Sequence, residues 1–100
     1  MLTGKQRSYL KSLTHKLKPM AQLGKDGISE GFLKMMDELL EDHELVKVNV
    51  LDASIMGSKE AANAVAKKLK ADFVQAIGNK FTLYRRATED PKIELPRVKK

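Results

Sequence analysis

FVQAIGNKFTLY, residues 73–84, decides the fold class. Two strand-like runs, 73–77 and 80–84, flank Gly78-Asn79, a pair suited to the two-residue turn of an antiparallel hairpin. Upstream the pattern changes. Ser58 stands before a helical stretch in which Ala61, Ala62, Val65, Ala66 and Leu69 recur on one side. Small residues there let a helix sit close to a sheet. Before it, residues 45–51 alternate, with Val46, Val48 and Val50 on one face and Lys47 and Asn49 on the other. Ser29 is a candidate cap for another helix whose apolar face is Phe32, Leu33, Met36, Leu39 and Leu40. Residues 20–23 read as a short strand, followed by the loop Gly24-Lys25-Asp26-Gly27. At the start, Thr3 precedes a stretch in which Leu10, Leu13 and Leu17 form one stripe, and Lys18-Pro19 ends it because the residue before proline is pushed out of the α region.

The order is α-β-α-β-α-β-β. Helices between strands demand crossovers and parallel pairing, and the final hairpin adds an antiparallel pair. The expectation is a single α/β domain with a four-stranded mixed sheet and three helices. The periodicity covers residues 1–86. Residues 87–100 form a basic tail, with Pro91 and Pro96, in which Ile93 and Leu95 dock an extended segment.

One hundred residues fit one domain. The chain has no cysteine, which excludes disulfides, zinc–thiolate and iron–sulfur sites and cysteine nucleophiles. No apolar run reaches the roughly 20 residues of a membrane helix, and the first residues lack the apolar stretch of a secretory signal. A cytoplasmic protein away from membranes is expected. Neither Walker A nor GxGxxG is present, and His15 and His43 stand on different elements. Asp37 and Glu41, one helical turn apart, are spaced to hold Mg²⁺ but read as a solvated face. No enzyme, cofactor or metal is expected.

Charge carries more information. The net charge is +6, and it is unevenly spread. Residues 1–25 hold six bases and no acid, residues 26–50 hold seven acids against two bases, and residues 76–100 hold seven bases against three acids. If the two basic ends meet, they make a positive face able to steer a polyanion, while the acidic middle is held away from it. The loop 24–27 is the candidate contact. Its glycines permit positive φ and close approach, and the helix that follows directs unpaired N–H groups toward it, favouring an anion. The competing reading is a tight turn that needs glycine for geometry alone. Candidate residues for contact with a nucleic-acid backbone are Gly24, Lys25, Asp26 and Gly27 in the loop, Lys5, Arg7, Lys11, Lys16 and Lys18 at the amino-terminal helix, and Arg85 and Arg86 after the last strand. Lys11 and Lys18, seven apart, are expected to share a side of one helix. Phe73 and Phe81 read as core rather than as a stacking platform.

The runs LKSLTHKLKPMAQLGKDGISEG (residues 10–31), HELVKVNV (43–50) and VQAIGNKFTLYR (74–85) resemble the CRM domain, the RNA-binding module of plant organelle splicing factors and of single-domain bacterial YhbY-like proteins. The tail PKIELPR (91–97) is similar to that of the bacterial members. The resemblance implies a shape like the carboxy-terminal domain of bacterial translation initiation factor three. It also implies RNA binding through Gly24, Lys25 and Gly27 with the nearby basic surface. The family often carries Asn where this chain has Asp26, a change that removes an amide donor and adds a negative charge. Bacterial stand-alone members are associated with large-subunit precursors, so the implied role is ribosome assembly on ribosomal RNA. Ribosomal proteins are further candidate partners, and nothing in the sequence demands more than a monomer. Two alternatives stand beside it: a module that docks a basic ribosomal protein on the acidic helix, and a translation factor of the small subunit.

Overall fold

The computed structural model describes residues 2–24, 27–51, 57–89, 91 and 93. The elements are α1 (Gly4–Thr14), β1 (Ala21–Leu23), α2 (Glu30–His43), β2 (Leu45–Val50), α3 (Ser58–Leu69), β3 (Asp72–Ile77) and β4 (Lys80–Tyr84). The expected order and four-stranded mixed sheet are both present. The strands lie in the order β1-β2-β4-β3, with β1 parallel to β2 and the other neighbours antiparallel.

The alternation in β2 sets the layers. Val46, Val48 and Val50 join Leu23, Phe81 and Leu83 on one face of the sheet, where α2 lays Phe32, Met36 and Leu40 and α3 lays Ala61, Ala62, Val65 and Ala66. Each large apolar side chain buried there contributes roughly 1.5–3 kcal/mol relative to exposure. The opposite face is only half covered. Leu45, Val74 and Tyr84 receive Leu2 and Leu10 from the α1 segment, with Leu13, Leu17 and Ile93 around them. Ile93 thus docks as expected, and Leu95 lies outside the described residues.

A bulge between Phe73 and Gln75 reconciles β3 with both faces. Phe73 pairs with Leu83 and Ala76 with Phe81, both toward α2 and α3, while Val74 turns alone into the α1 cluster. Gly78 carries the turn to β4 at φ +61, a value that glycine adopts without strain.

Local chemistry fixes the helix ends. Thr3 caps α1 in a reciprocal box with Gln6, at 3.1 Å in each direction. Ser29 caps α2, its hydroxyl accepting from the Phe32 N–H at 3.1 Å. Two expectations change. The helix α1 stops at Thr14, not at Lys18: the Lys16 and Leu17 amides bond three residues back, and the Thr14 hydroxyl donates to the Leu10 carbonyl at 2.8 Å. Lys18 therefore lies beyond the helix and does not share a helical side with Lys11. Ser58 is the first residue of α3 rather than its cap, a place that Gly57 takes. The Ser58 hydroxyl instead donates to the Gly78 carbonyl at 2.8 Å and ties the hairpin to α3.

Candidate nucleic-acid interface

Strand register divides the candidate residues between two ends of the sheet. Leu23 stands beside Val50, and the Leu51 N–H donates to the Leu23 carbonyl at 2.9 Å. Gly24 and Gly27 therefore lie at the end of the sheet where β2 finishes. Arg85 and Arg86 follow β4 at the other end, where Leu45 pairs with Tyr84. The length of β2 between them is roughly 17 Å, so the two groups do not merge.

At the loop end, the Gly27 N–H donates to the Gly24 carbonyl at 3.0 Å. Lys25 and Asp26, between the glycines, lie outside the described residues. The glycines differ in what they need. Gly27 sits at φ +67, in the left-handed region that disfavours any side chain. Gly24 has no such φ, and a Cβ built on it would meet only Leu51 Cδ1, at an ordinary 3.7 Å. Turn geometry accounts for Gly27 and leaves Gly24 unexplained. The start of α2 is less inviting to an anion than the sequence implied, since Ser29 takes the Phe32 N–H and Glu30 places a negative charge in the first turn.

On α1 and just past it, Lys5, Lys11, Lys16 and Lys18 are exposed. Arg7 is different: it is half-buried, and its Nε is buried with no hydrogen-bond partner among the described residues. Strand register adds two cations on the sheet face that were not singled out from sequence. Lys80 pairs with Asn49, which pairs with Gln22, two residues before Gly24. Lys47, on the same face, donates from Nζ to the Leu17 carbonyl at 3.3 Å and secures the chain after α1. The alternation of β2 already placed Lys47 and Asn49 together, but bringing Gln22 and Lys80 beside them required the strand order.

At the other end, Arg86 is exposed while Arg85 is held. Arg85 Nη1 donates to Asp37 Oδ1 at 2.7 Å and to the Leu69 carbonyl at 3.2 Å, and Nη2 donates to the Asp37 carbonyl at 2.9 Å. One guanidinium thus ties together α2 and the end of α3. Arg85→Ala is expected to lower stability by about 2 kcal/mol, a value discounted because Asp37 faces solvent. Thermal unfolding monitored by circular dichroism would then shift down by roughly 10 °C. Arg85→Lys should rescue little of this, because an ammonium cannot reproduce the fork.

The acidic helix is also occupied by its own chain. Glu41 accepts from the Thr88 N–H at 3.0 Å, the Thr88 hydroxyl at 3.0 Å and the Glu89 N–H at 3.3 Å. The Thr88 N–H is the main reason that the Glu41 carboxyl titrates below its ordinary value, against a desolvation that acts the other way. Glu44 is fully buried. It accepts from the Ala87 N–H on Oε2 at 2.9 Å and from the Ile93 N–H on Oε1 at 2.6 Å. Burial pushes the neighbouring Tyr84 hydroxyl up, and the Glu44 charge adds to the effect. Asp37 and Glu41 are therefore engaged by Arg85 and the tail rather than arranged as a Mg²⁺ pair. No three His, Asp or Glu residues are grouped to hold a metal among the described residues, and no helix among them is long and apolar enough to cross a membrane.

Comparison with known proteins agrees with this architecture. The Bacillus subtilis protein named "Probable RNA-binding protein YqeI" is 42% identical over 96 residues, covering 96% of this chain and 100% of its own length. A Haemophilus influenzae protein named "RNA-binding protein" is also 42% identical over 96 residues, covering 96% of each. The solution structure of SAV1595 from Staphylococcus aureus is similar at a TM-score of 0.80 and 44% identity, over 96% of this chain and 100% of that one. The family model described as the CRS1 / YhbY (CRM) domain matches residues 2–85, and the chain belongs to that family.

Proposed function

We propose that this protein binds RNA at the corner formed by Gly24–Gly27, with the exposed lysines of and after α1 extending the contact. The observation that carries the reading is Gly24. Its backbone tolerates a side chain and space exists for a Cβ, so a bare backbone there serves something that approaches from outside. A sugar–phosphate chain is such a ligand: it packs against exposed backbone and is drawn by Lys25, Lys16 and Lys18. The names of the relatives and the family membership support the same class of ligand. Within that class, the resemblance to bacterial stand-alone CRM proteins favours ribosomal RNA in large-subunit precursors. The role is then a cytoplasmic, monomeric assembly factor that performs no catalysis. Docking of a basic ribosomal protein on α2 is less favoured, because Asp37, Glu41 and Glu44 already serve Arg85 and the tail.

The loop is tested with Gly24→Ala, Gly24→Asp and Lys25→Glu, measured for RNA affinity and thermal unfolding. All three should fold as the parent does. Gly24→Asp places a charge against phosphate, a repulsion of about 1 kcal/mol in water at contact, and should weaken binding roughly fivefold. Lys25→Glu should weaken binding to every sequence alike and lower the salt slope by about one. Folded variants that bind as the parent does would remove the loop from the interface. Sedimentation of cell extract addresses the cellular target: the protein should travel with large-subunit precursors, and migration with small subunits would assign it to translation instead.

A further inference from the structure

The helix α1 covers only the half of its sheet face that holds Leu45, Val74 and Tyr84. The other half, next to the loop, carries a row that crosses all four strands: Gln22, Asn49, Lys80 and Ile77, each paired with the next in register. Four strands at about 4.8 Å spacing make the row roughly 14 Å long. Gln22 and Lys80 are exposed, Asn49 is half-buried, and none of the three has a side-chain hydrogen bond or ion pair among the described residues. They border an open cleft that rounds the β1 edge of the sheet, its apolar lining Pro19, Met20, Ala21 and, from α2, Met35. At the far end of the row, Ile77 is 62% exposed, a second apolar ledge.

We infer that this half-face is a binding site for the unpaired bases of single-stranded RNA whose backbone is held at the loop. The inference rests on the RNA-binding reading above and adds which part of the RNA is read and by what. Two side-chain amides, each offering a donor pair and an acceptor, match the Watson–Crick and Hoogsteen edges of splayed bases. Lys80 supplies a donor to a base carbonyl or charge to the adjoining phosphate. Apolar ledges at Ile77 and at the Pro19 rim of the cleft take the base faces in place of the strand phenylalanines, which lie inward: Phe81 is fully buried and Phe73 packs on the core. Duplex RNA keeps its Watson–Crick edges paired and its base faces stacked, so it offers the row neither.

The test compares a single-stranded RNA with an abasic oligonucleotide of the same length and backbone, by fluorescence anisotropy at fixed salt. The parent should bind the base-bearing RNA at least tenfold more tightly. The doubly substituted Gln22→Ala/Asn49→Ala protein should lose about tenfold on that RNA, the scale of one good bidentate base contact, while keeping the parent's affinity for the abasic strand. Should loss of Asn49 unfold the domain, Gln22→Ala alone, at an exposed and uncharged position, carries the same comparison. A parent that binds the two strands equally, or a variant that keeps the parent's preference, overturns the base site and leaves backbone binding standing. A parent that binds neither strand overturns both readings.

Discussion

Glu44→Ala is expected to lower the thermal midpoint by roughly 15 °C, the largest effect of any single substitution proposed for this protein. The reasoning starts from an unusual backbone. Glu44 ends α2 at φ +65 and ψ −42, a conformation that a residue with a side chain reaches only at a cost of order 1–3 kcal/mol. A buried carboxylate adds its own desolvation cost. Both are offset because each carboxylate oxygen accepts a tail N–H, while the Glu44 N–H and carbonyl bond Leu40 and Arg85. Alanine keeps the strained backbone and leaves the Ala87 and Ile93 amides without that partner, a loss of about 3 kcal/mol. For a domain of this size each kcal/mol moves the midpoint by about 4–8 °C. Glu44→Gly relieves the backbone and should fall short of alanine's loss by about 1 kcal/mol. Calorimetry on the two variants separates the contributions. An alanine variant as stable as the parent would show that the carboxylate does not hold the tail.

Raising the salt from about 50 to about 200 mM should reduce RNA affinity about a hundredfold. Five phosphates neutralised on a single strand give a slope near −3.5 in log affinity against log salt, and a fourfold change in salt then costs about two powers of ten. Lys5, Lys11, Lys16 and Lys18 are all exposed, and in the proposed interface they and Lys25 are the five charges counted. Titrations at four or five salt concentrations measure the slope. A flat line would mean that these lysines are solvated surface and that the RNA, if held, is held by something other than charge.

The fold was legible wherever a local rule decided it. Val46, Val48 and Val50 showed their shared face by alternation, Ser29 and Thr3 marked helix starts by capping chemistry, and Gly78-Asn79 announced its hairpin. What escaped depended on partners remote in the chain. Glu44 looked like one more acid in an acidic stretch, since the amides that its buried carboxylate meets lie 43 and 49 residues away. Arg85 looked available for RNA until Asp37, 48 residues earlier, was placed against it. The candidate site was legible as a loop and a basic helix, but not as a surface. The row Gln22, Asn49 and Lys80 exists only once β4 is inserted between β2 and β3, an order that no spacing in the sequence reveals.

The two outer strands bear on how the protein keeps company with itself. β1 is three residues long and follows Pro19, which has no amide hydrogen to offer, and β3 is kinked by the extra residue at Val74. Neither margin gives a second molecule a long, flat run of backbone to zip onto. A small cationic protein of this kind can crowd along a polyanion without its copies fusing into a continuous ribbon.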